Sequence, residues 1–354
     1  MEFALGVEPT DRYLAFEAAG AARKLVEEVM LVRPGEDVLI TVDTMGDRRV
    51  AEVVAQAAYA ARAVPTLVVY PTSPAPVMEP PPPVAGAAAR AQVWVELAVA
   101  YLLHTPAHQA ALARGCRYIC LTGMDVDMLV RCIGRVDYPK MLALGETLQR
   151  VVAQADEVRV TSPAGTDLVA HNHGRRVRHA GKLADTPGEP IMLGGQISWC
   201  PLESTIEGVL VFDGALWPPT ELGRLASPVE LEVHQGVIAA VRGGAEAQVF
   251  KRWLDSFADP NMYRIAHYSL GFNPGVTRPT GRIVEDERVF GCIEMGIGTQ
   301  GAQIGGLAWQ AASHTDGVVL CPSIYLDGEP LEVEGRYVHP EVVDACRSLG
   351  EPGY

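Results

Sequence analysis

Long apolar runs are scarce in this sequence of 354 residues. No stretch of about 18 residues is free of charge, glycine and proline, so no membrane-spanning helix is predicted. The first 20 residues have no basic start followed by an apolar segment, so no secretory signal is expected. Cysteine is sparse and unpatterned. The seven are odd in number and form no CxxC, and Cys116 and Cys120 lack a matching Cys/His pair at zinc-site distance. Reduced, mostly buried thiols in a cytoplasmic protein are expected. Positive charge is short: 29 Lys and Arg stand against 43 Asp and Glu, for a net charge of −14, with no dense basic cluster. Such a chain repels phosphate backbones, which argues against nucleic acid and anionic membranes as partners. Several catalytic signatures are also missing. There is no GxSxG nucleophile elbow and no HExxH zinc helix, and the glycine-rich run from Gly296 to Gly306 has no lysine for a phosphate loop. No short-period repeat is present.

What remains is an ordinary globular composition, 48% apolar, with enough chain for two domains. The first half alternates helical and strand patterns. A helical period runs from Asp11 to Val32, strands are expected at Val38 to Val42 and Pro65 to Tyr70, and a helix between them starts after Gly46-Asp47. That order predicts an α/β domain with a parallel sheet. A proline-rich stretch, Pro71 through Pro83, reads as an extended loop. An apolar run at Val95 to Leu103, a strand at Tyr118 to Leu121 and a helix at Pro139 to Ala155 follow. Beyond residue 156 short β-like runs dominate: Val158 to Thr161, Val209 to Phe212, and Val229 to Val241 with a turn at Gln235-Gly236. One helix is expected at Ala245 to Phe257. The chain therefore reads as an α/β domain, residues 1–156, and a strand-rich α+β domain, residues 157–354.

Four segments carry side chains suited to chemistry. Ser313-His314-Thr315-Asp316 precedes an apolar run and reads as the start of a strand, where residues two apart share a face. An imidazole and a carboxylate would then reach one metal ion. From the motif alone a His–Asp hydrogen bond at a turn serves equally well. His267 lies just before the glycine- and proline-bounded turn at Gly271 to Gly275, and taken alone reads as a structural histidine. Glu294 is a carboxylate inside an apolar run, costly to bury unless paired or used. The segment Gly194 to Gly214 ends in a strand and a turn, and spacing gives its polar residues no reading. His171 and His173 also stand two apart, but beside Arg175-Arg176, as on a solvated loop or strand edge.

In their order these segments resemble the aminopeptidase T (leucyl aminopeptidase) metallopeptidase family over most of residues 190–320, and more loosely in the α/β half. That family carries Gly-Glu-x-x-x-x-Pro, then Glu-x-Gly-x-Gly-x-Asn, then Asp-Glu-Lys-x-x-Gly-Thr-x-His, then His-x-Asp, and holds two metal ions. The departures are specific. Gln196 and His267 stand where that family has glutamates, Glu294 stands where it has the first histidine, and only His314 and Asp316 match unchanged. A dinuclear site needs several anionic oxygens. Exchanging carboxylates for an amide and an imidazole predicts the loss of one metal. The remaining set, His267, His314 and Asp316 with open positions, is that of non-heme Fe(II) oxygenases.

The pattern is similar to the 2,5-dihydroxypyridine 5,6-dioxygenase family, iron enzymes of nicotinate degradation that share the aminopeptidase fold. The resemblance implies Fe(II), a small aromatic substrate and O2, and ring opening of 2,5-dihydroxypyridine, or a closely related ring, to N-formylmaleamate. It implies a homo-oligomer as well. Glu294 is then expected to accept a proton or orient a ligand histidine, His104 to reach a cleft between the domains, and Ser313 and Gln196 to hydrogen-bond substrate. The alternative is a metal-dependent aminopeptidase with an altered dinuclear site.

Overall fold

The computed structural model describes residues 14–73, 79–103 and 105–354. His104, the first residues of the helix expected from Asp11 and part of the proline-rich stretch lie outside the described residues. The chain clusters into two compact units, residues 1–135 with 183–193, and residues 136–182 with 194–354.

The first unit is an α/β layer. Strands β1 (Asp37–Asp43), β2 (Val64–Tyr70), β3 (Val93–Glu96) and β4 (Arg117–Cys120) run parallel in the order β2-β1-β3-β4, and Pro190–Met192 adds in parallel beside β4. Val38, Leu39, Ile40 and Val42 are buried, as a parallel strand covered on both faces requires. The helix Arg48–Ala60 starts at Asp47, whose carboxylate accepts the Arg49 amide at 3.0 Å and so satisfies one free helix-end donor. The proline-rich stretch corrects one expectation. It is not extended to its end, because a helix begins at Pro82 (Pro82–Ala88). Proline's fixed φ and missing N–H cost nothing in a helix's first turn.

The second unit is strand-rich. An eight-stranded antiparallel sheet contains the hairpin Val229–His234 and Val237–Gly243. Its turn falls at Gln235-Gly236 as expected, with φ of +50° and +74°. Both signs match the turn type whose twist suits a tight hairpin. A second sheet of six strands carries four strands that matter below: β5 (Gln196–Trp199), β6 (Ile265–Gly271), β7 (Cys292–Gln300) and β8 (Trp309–Val319). Its order is Leu216–Trp217, β8, β7, β6, β5, Arg178–His179, and each neighbouring pair is antiparallel. One face of this sheet is apolar: Ile197, Trp199, Tyr268, Leu270, Ile293, Met295, Ile297 and Val319 are all buried.

The helix Tyr138–Gln154 belongs to this second unit, whereas the expected boundary near 156 places it with the first half. Its buried face (Met141, Leu144, Leu148, Val152) packs on β5 and on the C-terminal helix Pro340–Leu349, with Arg150 and Glu341 paired at 2.5 Å. Gly145 permits the approach. A Cβ there would stand 2.5 Å from Nε2 of His179 and 2.8 Å from the Phe272 ring. Residues 183–193 then return to the first unit.

Candidate metal centre

Strand register brings the chemistry to one face of the six-stranded sheet. The pairings His267 with Gly296, Gly296 with Asp316, and Gly298 with His314 set these residues in adjacent rows, and Ser269 with Glu294, Ser198 with Ser269 and Gln196 with Gly271 continue the face. Directly opposed residues project together, and every second residue along a strand joins them. The alternation explains Glu294-Met295-Gly296-Ile297-Gly298. The apolar members enter the core, and on the other side Gly296 leaves room for a ring to lie flat on the strand. A Cβ at Gly296 would overlap the His267 ring, which lies across that position. Two register shifts, between Ile265 and His267 and between Gly298 and Gln300, flank the cluster. Bulges of this kind re-aim side chains at strand ends.

His267, His314 and Asp316 converge. One ligand atom from each lies within 4.8 Å of the others. Nε2 of His314 is 2.9 Å, and Nε2 of His267 3.6 Å, from Oδ1 of Asp316, and the two imidazoles stack with centroids 5.3 Å apart. Oε2 of the fully buried Glu294 meets Nε2 of His267 at 3.2 Å and accepts from Nε2 of Gln196 at 3.4 Å. The same Gln196 amide donates to Oε2 of Glu287 at 3.0 Å, and Arg288 holds that carboxylate at 3.1 Å.

The electrostatics follow from this packing. Burial lowers the His267 pKa, with Asp316 and Glu287 opposing. Burial acts the same way on His314, but the Asp316 carboxylate outweighs it and leaves His314 raised. Asp316 feels burial too, and the imidazoles more than offset it, so its pKa is lowered. Glu294 is raised well above the ordinary range by burial and by the Asp316 charge, and Glu287 is raised chiefly by burial.

A single divalent transition metal fits these residues. Two imidazole nitrogens and one carboxylate supply N and O donors, and the neutral Gln196 amide beside Glu287 and Glu294 adds no charge for a second dication. Two buried polar atoms of the cluster, Oε1 of Glu294 and Nδ1 of His314, also have no hydrogen-bond partner.

Of the residues expected from sequence, His267, His314, Asp316, Glu294 and Gln196 are brought together. Ser313 is not. Alternation turns it away from the face of His314, and its hydroxyl lies 3.5 Å from the His314 carbonyl oxygen. His171 and His173 stack with ring centroids 5.6 Å apart near the surface, and each lies 3.1 Å from Asp156. The cysteines are free, with six buried and Cys321 exposed. Sequence reasoning passed over Glu287 and Ser269 as site residues. The signal for Glu287 was its place in Asp286-Glu287-Arg288, where the peptidase pattern has Asp-Glu-Lys. Ser269 had only its two-residue spacing from His267.

Comparison with known proteins identifies the family and the fold. A sequence profile of 2,5-dihydroxypyridine 5,6-dioxygenase matches residues 22–339. The 2,5-dihydroxypyridine 5,6-dioxygenase of Pseudomonas putida is 28% identical over 251 residues, covering 68% of this chain and 69% of that one. Among solved structures, 2,5-dihydroxypyridine dioxygenase from P. putida KT2440 superposes with a TM-score of 0.75 at 22% identity, covering 92% of this chain and 98% of that one. Wild-type AmpT from Thermus thermophilus does so with a TM-score of 0.65 at 15% identity, covering 92% of this chain and 100% of that one. The fold is thus common to a ring-cleaving dioxygenase and AmpT, and this chain belongs to the 2,5-dihydroxypyridine 5,6-dioxygenase family.

Proposed function

We propose that this enzyme opens the ring of 2,5-dihydroxypyridine between C5 and C6 with O2, giving N-formylmaleamate, at one Fe(II) held by His267, His314 and Asp316. Both oxygen atoms of O2 enter the product, so the reaction balances without an external reductant. The observation that carries the reading is the convergence of those three side chains over β7. Bound there, the ion would supply open positions for a ring hydroxylate and O2, and a path for electrons from the ring to O2.

The chain's own groups complete the site. Asp316 would supply the anionic donor of the ligand set, its Oδ1 facing Nε2 of His314 at 2.9 Å. Glu294 is held through Oε2 by Gln196 and keeps the His267 imidazole in place. Gln196 thus serves first to position Glu294, and its carbonyl oxygen is left for the ring. Gly296 leaves room for the His267 ring to lie across the sheet. The free thiols support a cytoplasmic location, and a homo-oligomer is part of the same proposal. Among the described residues no helix is long and apolar enough to cross a membrane.

The test is anaerobic metal analysis of the wild-type protein and of His314→Ala. One iron per chain in the wild type and its loss in the variant support the ligand set. Stoichiometric iron retained by His314→Ala refutes it.

A further inference from the structure

On the function proposed above, the substrate is a planar ring drawn to the cluster by its hydroxyl groups. Ligand pockets pair such polar contacts with an apolar wall. Strands β5 to β8 offer carboxylates, amide, hydroxyls and glycines on the site face, but no aromatic side chain apart from the two imidazoles. The aromatic comes from the edge strand beside β8.

There the register pairs Trp217 with Asp316 and Leu216 with Gly317. Opposed residues of an antiparallel pair project from the same face, with Cβ atoms about 4.5–5.5 Å apart. Leu216 is therefore directed into the core, in agreement with its complete burial, and Trp217 rises beside the Asp316 carboxylate. Across the sheet the row reads Trp217, Asp316, Gly296, His267. The indole and the His267 imidazole thus stand at the two ends of the row that holds the Asp316 carboxylate.

The other tryptophans are all engaged. The indole N–H groups of Trp94, Trp199 and Trp309 donate to Oγ1 of Thr41, Oδ1 of Asn172 and the Gly298 carbonyl, and Trp253 packs between Phe250 and Phe257. Trp217 is half-buried, and its indole makes no hydrogen bond or ring contact with any described residue.

We infer that Trp217 is the stacking wall for the aromatic substrate, and so a specificity-determining residue of this site. An electron-rich hydroxylated ring gains from an offset stack on an indole, whereas an aliphatic or peptide substrate gains little. Stacking of this kind acts on the bound ring before and during reaction alike, so its loss raises KM with little change in kcat.

The experiment is anaerobic calorimetric titration of the Fe(II)-loaded protein with 2,5-dihydroxypyridine, for wild type, Trp217→Leu, Trp217→Gln and Trp217→Phe. Iron content and melting temperature serve as folding checks. The Leu and Gln variants are expected to raise Kd about tenfold, the loss of one ring-stacking contact, and Phe to stay within about threefold. Two non-aromatic variants are included so that misfolding of one leaves the test intact. Wild-type affinity in either folded non-aromatic variant overturns the inference. Its failure is separable from that of the proposed function. O2 uptake by the wild type with unchanged Trp217→Leu binding sinks only the stacking wall, whereas no uptake by the wild type sinks the dioxygenase reading itself.

Discussion

Gly296→Ala tests the geometry of the centre without replacing a ligand. The backbone at 296 needs no left-handed conformation, so an alanine is acceptable to the strand itself and removes some of glycine's entropy cost, about 0.5–1 kcal/mol. The obstacle is the His267 ring. The new Cβ would stand 2.9 Å from Nε2, where ordinary contact begins at 3.4 Å, and would overlap Cε1 and Nδ1 still more. The ring must therefore withdraw by about 1 Å, a misplacement that costs on the order of 100-fold in rate when it falls on a reacting group. Withdrawal also breaks the 3.2 Å contact with Glu294 and the 3.6 Å approach to Asp316. Metal affinity should fall about 10- to 100-fold, the range seen when groups that orient a ligand are removed. The melting temperature should move by only a few degrees. The assay is iron per chain after dialysis against a graded chelator, with kcat/KM from O2 uptake alongside. A Gly296→Ala protein with wild-type iron affinity and turnover would show that the His267 ring does not lie over β7 in the working enzyme.

Gln196→Glu places a third carboxylate beside Glu287 and Glu294, where the amide now bridges the two. It should raise the bound divalent metal from one toward two per chain in elemental analysis, and unchanged stoichiometry would count against the charge argument. Gly145→Ala should destabilise the protein by about 1–3 kcal/mol in chemical denaturation, because overpacking against His179 and Phe272 outweighs alanine's helix advantage of about 1 kcal/mol. A stabilised variant would refute the packing. In the first unit, burial pushes the Glu96 carboxyl up to about 8, against the Leu102 amide that bonds its Oε1 at 3.0 Å. The folded state then holds that proton more tightly than the unfolded chain, so this group's stabilisation is complete below the ordinary value of 4.5 and is lost as pH rises toward 8. Melting curves at pH 5 and pH 8.5 should show a smaller fall for Glu96→Gln than for wild type, and an equal fall would contradict the assignment.

The centre was readable where local periodicity decides it. His314 and Asp316 lie two apart in a segment that is a strand, so their common face followed from the pleat. His267 carried no such signal. Its place depends on antiparallel pairing with a residue 29 positions later, and only the resemblance connected them. Ser313 illustrates the opposite case, since adjacency in sequence within a strand means opposite faces. The sheet classes followed from strand spacing and turn residues. The unit boundary did not. The pattern of Tyr138–Gln154 shows that the helix has a buried face, but which sheet receives it is set by the gap at Gly145 and by His179 and Phe272, neither local to it. The returning strand Pro190–Met192 spans three residues and begins with proline, too little for period-2 alternation to register.

The central claim is that one iron at His267, His314 and Asp316 drives ring opening by O2. The direct measurement is the stoichiometry of the Fe(II)-loaded protein with 2,5-dihydroxypyridine, from an oxygen electrode combined with mass analysis of the product under 18O2. One O2 consumed per ring opened, with two 18O atoms in N-formylmaleamate before exchange with water, is the predicted result. No uptake, together with two metals per chain and release of N-terminal residues from peptides, would contradict it.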